Sequence, residues 1–205
     1  EDPDLEGFAQ QYLDADIPTI QRAYREAILK SFQGELATLQ SPVGVPVHQR
    51  YGARLQNQAL AADIVLDLHT SANQGLVYVY YFRDRTPAIP YLGVDFAILL
   101  DRFDGNAFDE AFINPWLALE TAFATVGRSL RFDIEAWTLE LGSASRITPI
   151  VVEQGFKGIL NYLRYKGVLL DQPTQVHPDV PLGKASQLTK YVAHQGGFAQ
   201  PHVAL

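Results

Sequence analysis

The chain has 205 residues, 47% of them hydrophobic and 19% charged, a balance typical of one large globular domain or of one domain and part of another. Its net charge of −7 disfavours nucleic acids and anionic membranes as partners, and no apolar run approaches the roughly 20 residues of a membrane span. The absence of cysteine excludes disulfides, thiolate nucleophiles and cysteine zinc sites, and fits the cytoplasmic location that we expect.

The first part of the chain is predicted to be helical. Asp16 can cap a helix that extends to Leu39, because its apolar residues recur at near-helical spacing and Pro18 suits the first turn. Prolines and a glycine then interrupt the pattern, and a shorter helix is predicted at 49–61.

Strands and helices alternate in the remainder. The predicted elements are a strand at 64–68, a strand at 75–82, a strand or helix at 94–103, a helix opened by Pro115 that ends near Gly127, a strand at 133–141 and a helix at 147–165. This alternation predicts an α/β fold in which helices cover both faces of a sheet. After residue 170 the composition changes, so we expect residues 171–205 to be a linker and the beginning of a small β domain.

Two strand ends carry the candidate chemistry, and the first is "LDLHTSANQG" at 66–75. Residues two apart in a strand face the same side, so Asp67 and His69 should point together. His69 could bind a metal while Asp67 orients its ring, as carboxylates do for metal-bound histidines. The alternative is a structural histidine whose hydrogen bond to Asp67 has no role in catalysis.

The second strand end is "WTLELGS" at 137–143, where Glu140 interrupts an apolar strand. Burying a carboxylate costs free energy unless the group is paired, so an unpaired buried carboxylate is a candidate for a functional role. Glu140 could act as a general base that takes a proton from water. The alternative is a glutamate that faces solvent or pairs with an arginine. Motifs for nucleotide phosphates, serine nucleophiles and H-E-x-x-H metal sites are absent.

Together, "DIVLDLHT" and "WTLELGS" resemble the succinylglutamate desuccinylase/aspartoacylase family of the zinc carboxypeptidase superfamily. The resemblance implies a three-layer, mixed sheet covered by helices, with residues 1–170 as a partial catalytic domain and 171–205 leading into an accessory β domain. It also implies a zinc-dependent hydrolase that cleaves the amide bond of a small, anionic N-acyl amino acid. A homo-oligomer is compatible with it.

The resemblance also implies roles for individual residues. His69 matches a zinc ligand, Asp67 its orienting carboxylate and Glu140 the catalytic glutamate, while Thr70 and Ser71 would line the site beside the metal. The family's other two zinc ligands come from an H-x-x-E motif that this chain lacks, and we expect them before Glu1.

An arginine is the natural partner of a substrate carboxylate. By its position before the Glu140 strand, Arg128 is the candidate that the resemblance favours, with Arg131, Arg83 and Arg85 as alternatives. Two other functions stay open on the sequence alone: a carboxypeptidase-like peptidase, and a non-catalytic binding module that kept the fold.

Overall fold

The computed structural model describes residues 4–39, 44–71, 75–189 and residue 195. The chain divides into two compact units, the first made of residues 1–65 and 104–136 and the second of residues 66–103 and 137–205. Among the described residues, no helix combines the length and the apolar character needed to cross a membrane.

Helices build the first unit: α1 (Leu5–Gln11), α2 (Ile17–Thr38), α3 (Val47–Ala59) and α4 (Phe108–Thr125). Helix α2 begins as predicted, because Asp16 is its N-cap and accepts a hydrogen bond from the Thr19 backbone N–H at 2.7 Å. Helix α3 lies within two residues of its predicted bounds, whereas the sequence pattern missed the short α1.

The prediction that Pro115 opens a helix is wrong. Helix α4 starts at Phe108, with Asp109 and Glu110 in its first turn, and Pro115 lies in its interior. The proline removes one backbone hydrogen bond. The helix tolerates this loss because much of its length is buried, with Phe112, Trp116 and other large apolar side chains in the core.

Aromatic side chains join these helices. The ring of Tyr24 in α2 meets Trp116 of α4 edge-on at 5.2 Å, and Phe8 of α1 packs against Tyr24 at 5.4 Å. The Tyr24 hydroxyl donates a hydrogen bond to the Pro115 carbonyl at 3.1 Å. Packing between aromatic edges and faces therefore forms the core of the first unit.

The described strands form a five-stranded mixed sheet, which confirms the predicted α/β class. They are β1 (Ile64–Ser71), β2 (Val77–Tyr81), β3 (Phe96–Leu99), β4 (Glu135–Ser143) and β5 (Leu182–Lys184), in the order β1-β4-β2-β3-β5. Strand β2 runs antiparallel to β4 and parallel to β3, which is parallel to β5. The ambiguous run at 94–103 thus contains a strand.

Strands β1 and β4 run in the same direction. The Glu135 N–H donates to the Asp63 carbonyl at 3.0 Å near their starts, and the Ala144 N–H donates to the Ser71 carbonyl at 2.7 Å near their ends. Leu68 in β1, an edge strand of the described sheet, is 55% exposed, although helices were predicted to cover both faces of the sheet.

In the second unit, helix α5 (Pro149–Tyr165) packs closely on the chain after a 3₁₀ helix at Thr86–Tyr91. A β-carbon added to Gly158 would lie 2.0 Å from the Leu92 carbonyl oxygen, so only glycine allows this approach. The buried indole of Trp137 donates a hydrogen bond to the Tyr162 hydroxyl at 2.9 Å and ties β4 to α5.

The segment after residue 170 contributes β5 and a 3₁₀ helix at Ala185–Gln187. The Ser186 N–H donates to an Asp101 carboxylate oxygen at 3.0 Å. The predicted short strands of the tail lie mostly outside the described residues, and the domain boundary at residue 170 stays a prediction.

Candidate active site

The candidate site lies in the second unit, where β1 and β4 end side by side. Since these strands are parallel neighbours, their carboxyl ends meet at one edge of the sheet. Strand β2 runs the other way, so its first residues reach the same edge. Polar side chains that the sequence separates by many residues are therefore brought together.

Asp67 and His69 point to the same side of β1, as predicted. The His69 Nε2 atom lies 3.1 Å from Asp67 Oδ2, and the two side chains are 51% and 23% exposed, respectively. A carboxylate at Nε2 favours the proton on that nitrogen and leaves the lone pair of Nδ1 available. His69 can therefore act as a ligand through Nδ1.

Glu140 is half-buried and has one carboxylate oxygen, Oε2, that is buried and has no hydrogen-bond partner among the described residues. Burial raises the pKa of Glu140, and the Asp67 carboxylate acts in the same direction. His69 and a hydrogen bond from Ser71 act in the opposite direction. A carboxylate with a raised pKa and a free oxygen is suited to accept a proton.

The structure adds Tyr78, which sequence reasoning missed. Tyr78 is the register partner of Glu140 across β2 and β4, and its ring meets that of Tyr80 edge-on at 5.4 Å. Burial holds the pKa of Tyr78 well above its usual range, with smaller contributions from Tyr80 and Glu140 in the same direction. The phenol therefore stays protonated. Only the antiparallel pairing of β2 with β4, which one sequence does not reveal, could have indicated it.

The other predicted residues differ in their placement. Ser71 lies at the end of β1, where the alternation of the strand places it on the same face as Asp67 and His69, so it belongs to the group. Thr70 lies between His69 and Ser71, and the alternation of the strand directs its side chain to the opposite face. The structure does not bring Thr70 to Glu140.

The predicted substrate arginine lies in the first unit. Arg128 Nη1 donates to the backbone carbonyls of Leu13 at 2.6 Å and Ala15 at 2.7 Å, which fixes the turn after α1. Its alternatives also have structural partners: Arg131 pairs with Glu135 at 2.7 Å, and the buried Arg85 donates to the Arg83 carbonyl at 2.9 Å. A contact between Arg128 and substrate stays a prediction.

The described residues do not provide a complete metal site. Within them, no group of three or more histidine, cysteine, aspartate or glutamate residues is arranged to hold an ion. Catalytic zinc usually has three protein ligands and a water molecule. His69 alone therefore does not fit a zinc ion, and the predicted zinc site stays a prediction.

Comparison with known proteins identifies structural relatives. No protein-family model matches the sequence, and no curated protein is significantly similar to it. Among solved structures, a provisionally named succinylglutamate desuccinylase/aspartoacylase from Shewanella frigidimarina superposes with a TM-score of 0.81 at 26% identity, over 93% of this chain and 50% of its own. A provisionally named member of the same family from Shewanella amazonensis gives 0.77 at 30% identity, over 92% and 50%.

A more distant structure shows the fold alone. The ectoine utilization protein EutE (DoeB) from Ruegeria pomeroyi superposes with a TM-score of 0.50 at 15% identity, over 71% of this chain and 44% of its own. The chain described here thus spans about half the length of the two Shewanella relatives.

Proposed function

The resemblance of this chain to the succinylglutamate desuccinylase/aspartoacylase family is confirmed by its structure, and on that premise we propose that the protein is a hydrolase. Its substrate is a small N-acyl amino acid, and the bond that it cleaves is the amide between the acyl group and the amino nitrogen. The names of the two Shewanella relatives support this choice of substrate class.

One observation carries the proposal: Glu140 has a raised pKa and a buried Oε2 without a hydrogen-bond partner among the described residues, on the face of the sheet that also holds the His69–Asp67 pair. As general base, Glu140 accepts a proton at Oε2 from a water molecule, and the water oxygen attacks the acyl carbon. The same carboxyl group then gives the proton to the amino nitrogen as the amide bond breaks, which regenerates the carboxylate.

Zinc dependence is part of the proposal for the whole protein. His69 supplies one zinc ligand through Nδ1, and the other ligands lie outside the described residues. A zinc ion bound there would lower the pKa of a bound water to about 7 and polarise the acyl carbonyl. The 3.1 Å contact between Asp67 and His69 supports the role of His69 as a ligand, because Asp67 orients the imidazole ring as carboxylates orient metal-bound histidines.

The remaining proposals concern the charge of the substrate, the cellular location of the protein and its partners. We propose that the substrate is anionic and that Arg128 or Thr70 contacts it, on the family resemblance alone. A cytoplasmic location is supported by the lack of cysteine. We propose no nucleic-acid or membrane partner, given the net charge of −7, and a homo-oligomer remains compatible with the family.

The experiment is a substrate comparison with the full-length protein. We expect hydrolysis of N-succinyl and N-acetyl amino acids, with amino-terminally blocked dipeptides cleaved more slowly. Preferential cleavage of the dipeptides would contradict the proposal in favour of a carboxypeptidase-like peptidase. No hydrolysis of either class, together with no bound zinc, would identify a non-catalytic binding module.

A further inference from the structure

Three aromatic rings lie together next to Glu140. The ring of Tyr78 stacks on Phe96 with centroids 4.7 Å apart and an interplanar angle of 11°, and it meets Tyr80 edge-on at 5.4 Å. Tyr78 is the register partner of Phe96 in β3 and of Glu140 in β4, and directly opposed residues place their side chains side by side on one face. Tyr78, Tyr80 and Phe96, the aromatic cluster, therefore lie on the face that carries Glu140.

This face of β2 is less covered than the opposite one. Val77, Val79 and Tyr81 point to the opposite face and are at most 4% exposed. Tyr78 and Tyr80 are only partly buried, although they lie in the middle of the same strand. The rings of the aromatic cluster thus keep surface that a ligand can contact.

Helix α5 packs on the face of β4 that points away from Glu140. The Trp137 indole donates a hydrogen bond to Tyr162 of the helix, and a β-carbon added to Gly155 would lie 2.9 Å from Leu141 Cδ2. Trp137 and Leu141 are three residues and one residue from Glu140, so strand alternation directs them to the other side of the sheet. Helix α5 therefore leaves the face with the aromatic cluster uncovered.

The strands around Glu140 carry no cationic side chain. Among the five described strands, arginine or lysine occurs only in β5, as Lys184, at the edge of the sheet opposite β1. The natural partner of a side-chain carboxylate is arginine or lysine. On this face an acidic side chain would instead meet the like charges of Asp67 and Glu140. The surroundings of the aromatic cluster therefore disfavour an acidic group.

A cationic ligand group is disfavoured for a different reason. Asp67 already pairs with His69 at 3.1 Å, so a cation on this face would pair with Glu140. That pairing would favour the charged form of Glu140 and occupy the oxygen that accepts the proton from water. An apolar group packs against the rings without interfering with the carboxylate.

The order of the strands indicates which part of a substrate lies on the aromatic cluster. Glu140 on β4 lies between β1, which carries His69 and Asp67, and β2 and β3, which carry the three rings. Since Glu140 gives its proton to the amino nitrogen, that nitrogen must come within hydrogen-bonding distance of the carboxyl group. With the acyl carbonyl on the polar side of β1, the side chain of the amino acid lies on the side of the rings.

We propose that the aromatic cluster binds the side chain of the amino acid from which the acyl group is removed, and that this side chain is aromatic or branched aliphatic. The inference rests on the proposed function, because the proton transfer from Glu140 places the substrate. It narrows the substrate class to N-acyl amino acids whose only charge is the α-carboxylate.

The kinetic test compares the Nα-acetyl derivatives of L-phenylalanine, L-leucine, L-aspartate and L-lysine as substrates of the full-length protein. We expect kcat/KM for the phenylalanine and leucine derivatives to exceed the other two values by at least about 10-fold, the low end of discrimination by an apolar pocket. Preference for the aspartate or the lysine derivative would overturn the inference and leave the protein a hydrolase of N-acyl amino acids.

Phe96→Leu tests the aromatic cluster itself, because leucine stays apolar but cannot stack on Tyr78. We expect kcat/KM for Nα-acetyl-L-phenylalanine to fall about 10-fold, and the value for Nα-acetyl-L-alanine to fall less. The matched control is Phe103→Leu, since the partly exposed ring of Phe103 contacts Phe82 beyond the far end of β2. Equal losses for both substrates in Phe96→Leu, or the same selective loss in Phe103→Leu, would overturn the inference.

A second readout is independent of turnover and uses the free amino acids as ligands of wild-type protein with ¹³C-labelled tyrosine. L-Phenylalanine should shift the NMR signals of Tyr78 and Tyr80 but not that of Tyr81, and L-aspartate should shift none of them. Hydrolysis of Nα-acetyl-L-phenylalanine without these shifts would overturn the aromatic cluster as a binding site. The shifts in a protein without hydrolysis would instead refute the proposed function and leave the binding site in place.

Discussion

Among single residues, His69 is the one whose removal should change the metal content without changing the fold. Its side chain is 51% exposed, so truncation leaves no cavity in the core. We expect His69→Ala in the full-length protein to lose zinc and hydrolysis and to keep its melting temperature. Metal analysis is the measurement, and His48→Ala, which removes another exposed histidine, is the control. Unchanged zinc in His69→Ala would exclude the ligand role.

Asp67 should matter less than His69, because it acts on the orientation of the ring. We expect Asp67→Asn to lower zinc affinity or activity by about 10- to 100-fold, the usual effect of losing a carboxylate that supports a metal ligand. Zinc titration of the variant measures it, and wild-type affinity together with wild-type activity would show that the 3.1 Å contact is structural only.

The sequence allowed the prediction of those candidate site residues that stand out within their own strand. Asp67 and His69 are two positions apart, so strand alternation predicts their contact directly. Glu140 stood out as a carboxylate in an apolar strand. Tyr78 did not stand out, because aromatic residues are common in strands and only the pairing of β2 with β4 makes it a neighbour of Glu140.

At the level of elements, the contact between α5 and the chain around Leu92 depends on glycine. An added β-carbon at Gly158 would overlap the Leu92 carbonyl, and backbone atoms yield less easily than a side chain. We expect Gly158→Ala to destabilise the protein by about 3 kcal/mol, the upper end for overpacking. The matched control is Gly34→Ala on helix α2, where nothing lies within 4 Å.

Gly34→Ala should stabilise the protein by about 0.5–1 kcal/mol, because alanine has the higher helix propensity. Both values come from denaturant unfolding of the two variants. A Gly158→Ala protein as stable as Gly34→Ala would disprove the close approach of α5.

The packing of α2 on α4 predicts a pH dependence of stability. Burial raises the pKa of Tyr24 to about 12, and the residue is 3% exposed. The stabilisation is therefore fully present below the unfolded pKa of about 10 and is lost as the pH rises through about 12. A shift of this size corresponds to about 3 kcal/mol.

The measurement is the free energy of unfolding at pH 9 and at pH 12. Wild-type protein should lose about 2 kcal/mol more between these pH values than Tyr24→Phe, which has no proton to lose, because at pH 12 the folded protein is only half ionised at Tyr24. Tyr51→Phe, at a 65% exposed position, should behave like the wild type. Equal losses in wild type and Tyr24→Phe would show that ionisation of Tyr24 is not coupled to unfolding.

Element boundaries were predictable where a local signal decides them, as with the Asp16 cap of α2. Pro115 shows the limit of such signals. A proline favours the first turn of a helix, yet α4 continues through it, because tertiary burial of the helix outweighs one lost hydrogen bond. The strand at Phe96–Leu99 was ambiguous for a similar reason, since a short apolar run has no period of its own.

For the whole molecule, the alternation of strands and helices was sufficient to predict the α/β class, whereas the division into two units was not predictable. The first unit joins residues 1–65 to residues 104–136, which are distant in sequence. Such a division depends on long-range packing that local patterns do not encode. The chain spans about half the length of the two Shewanella relatives.

The most direct test of the central claim compares Glu140→Gln with the wild type in the full-length protein, with the hydrolysis of an N-acyl amino acid and the zinc content measured on the same samples. Glutamine keeps the shape of glutamate and cannot accept the proton. We predict normal zinc content, near-normal stability and a loss of kcat of at least about 100-fold, the lower end of general-base contributions. Retained turnover in Glu140→Gln, or zinc lost together with turnover, would contradict Glu140 as the general base.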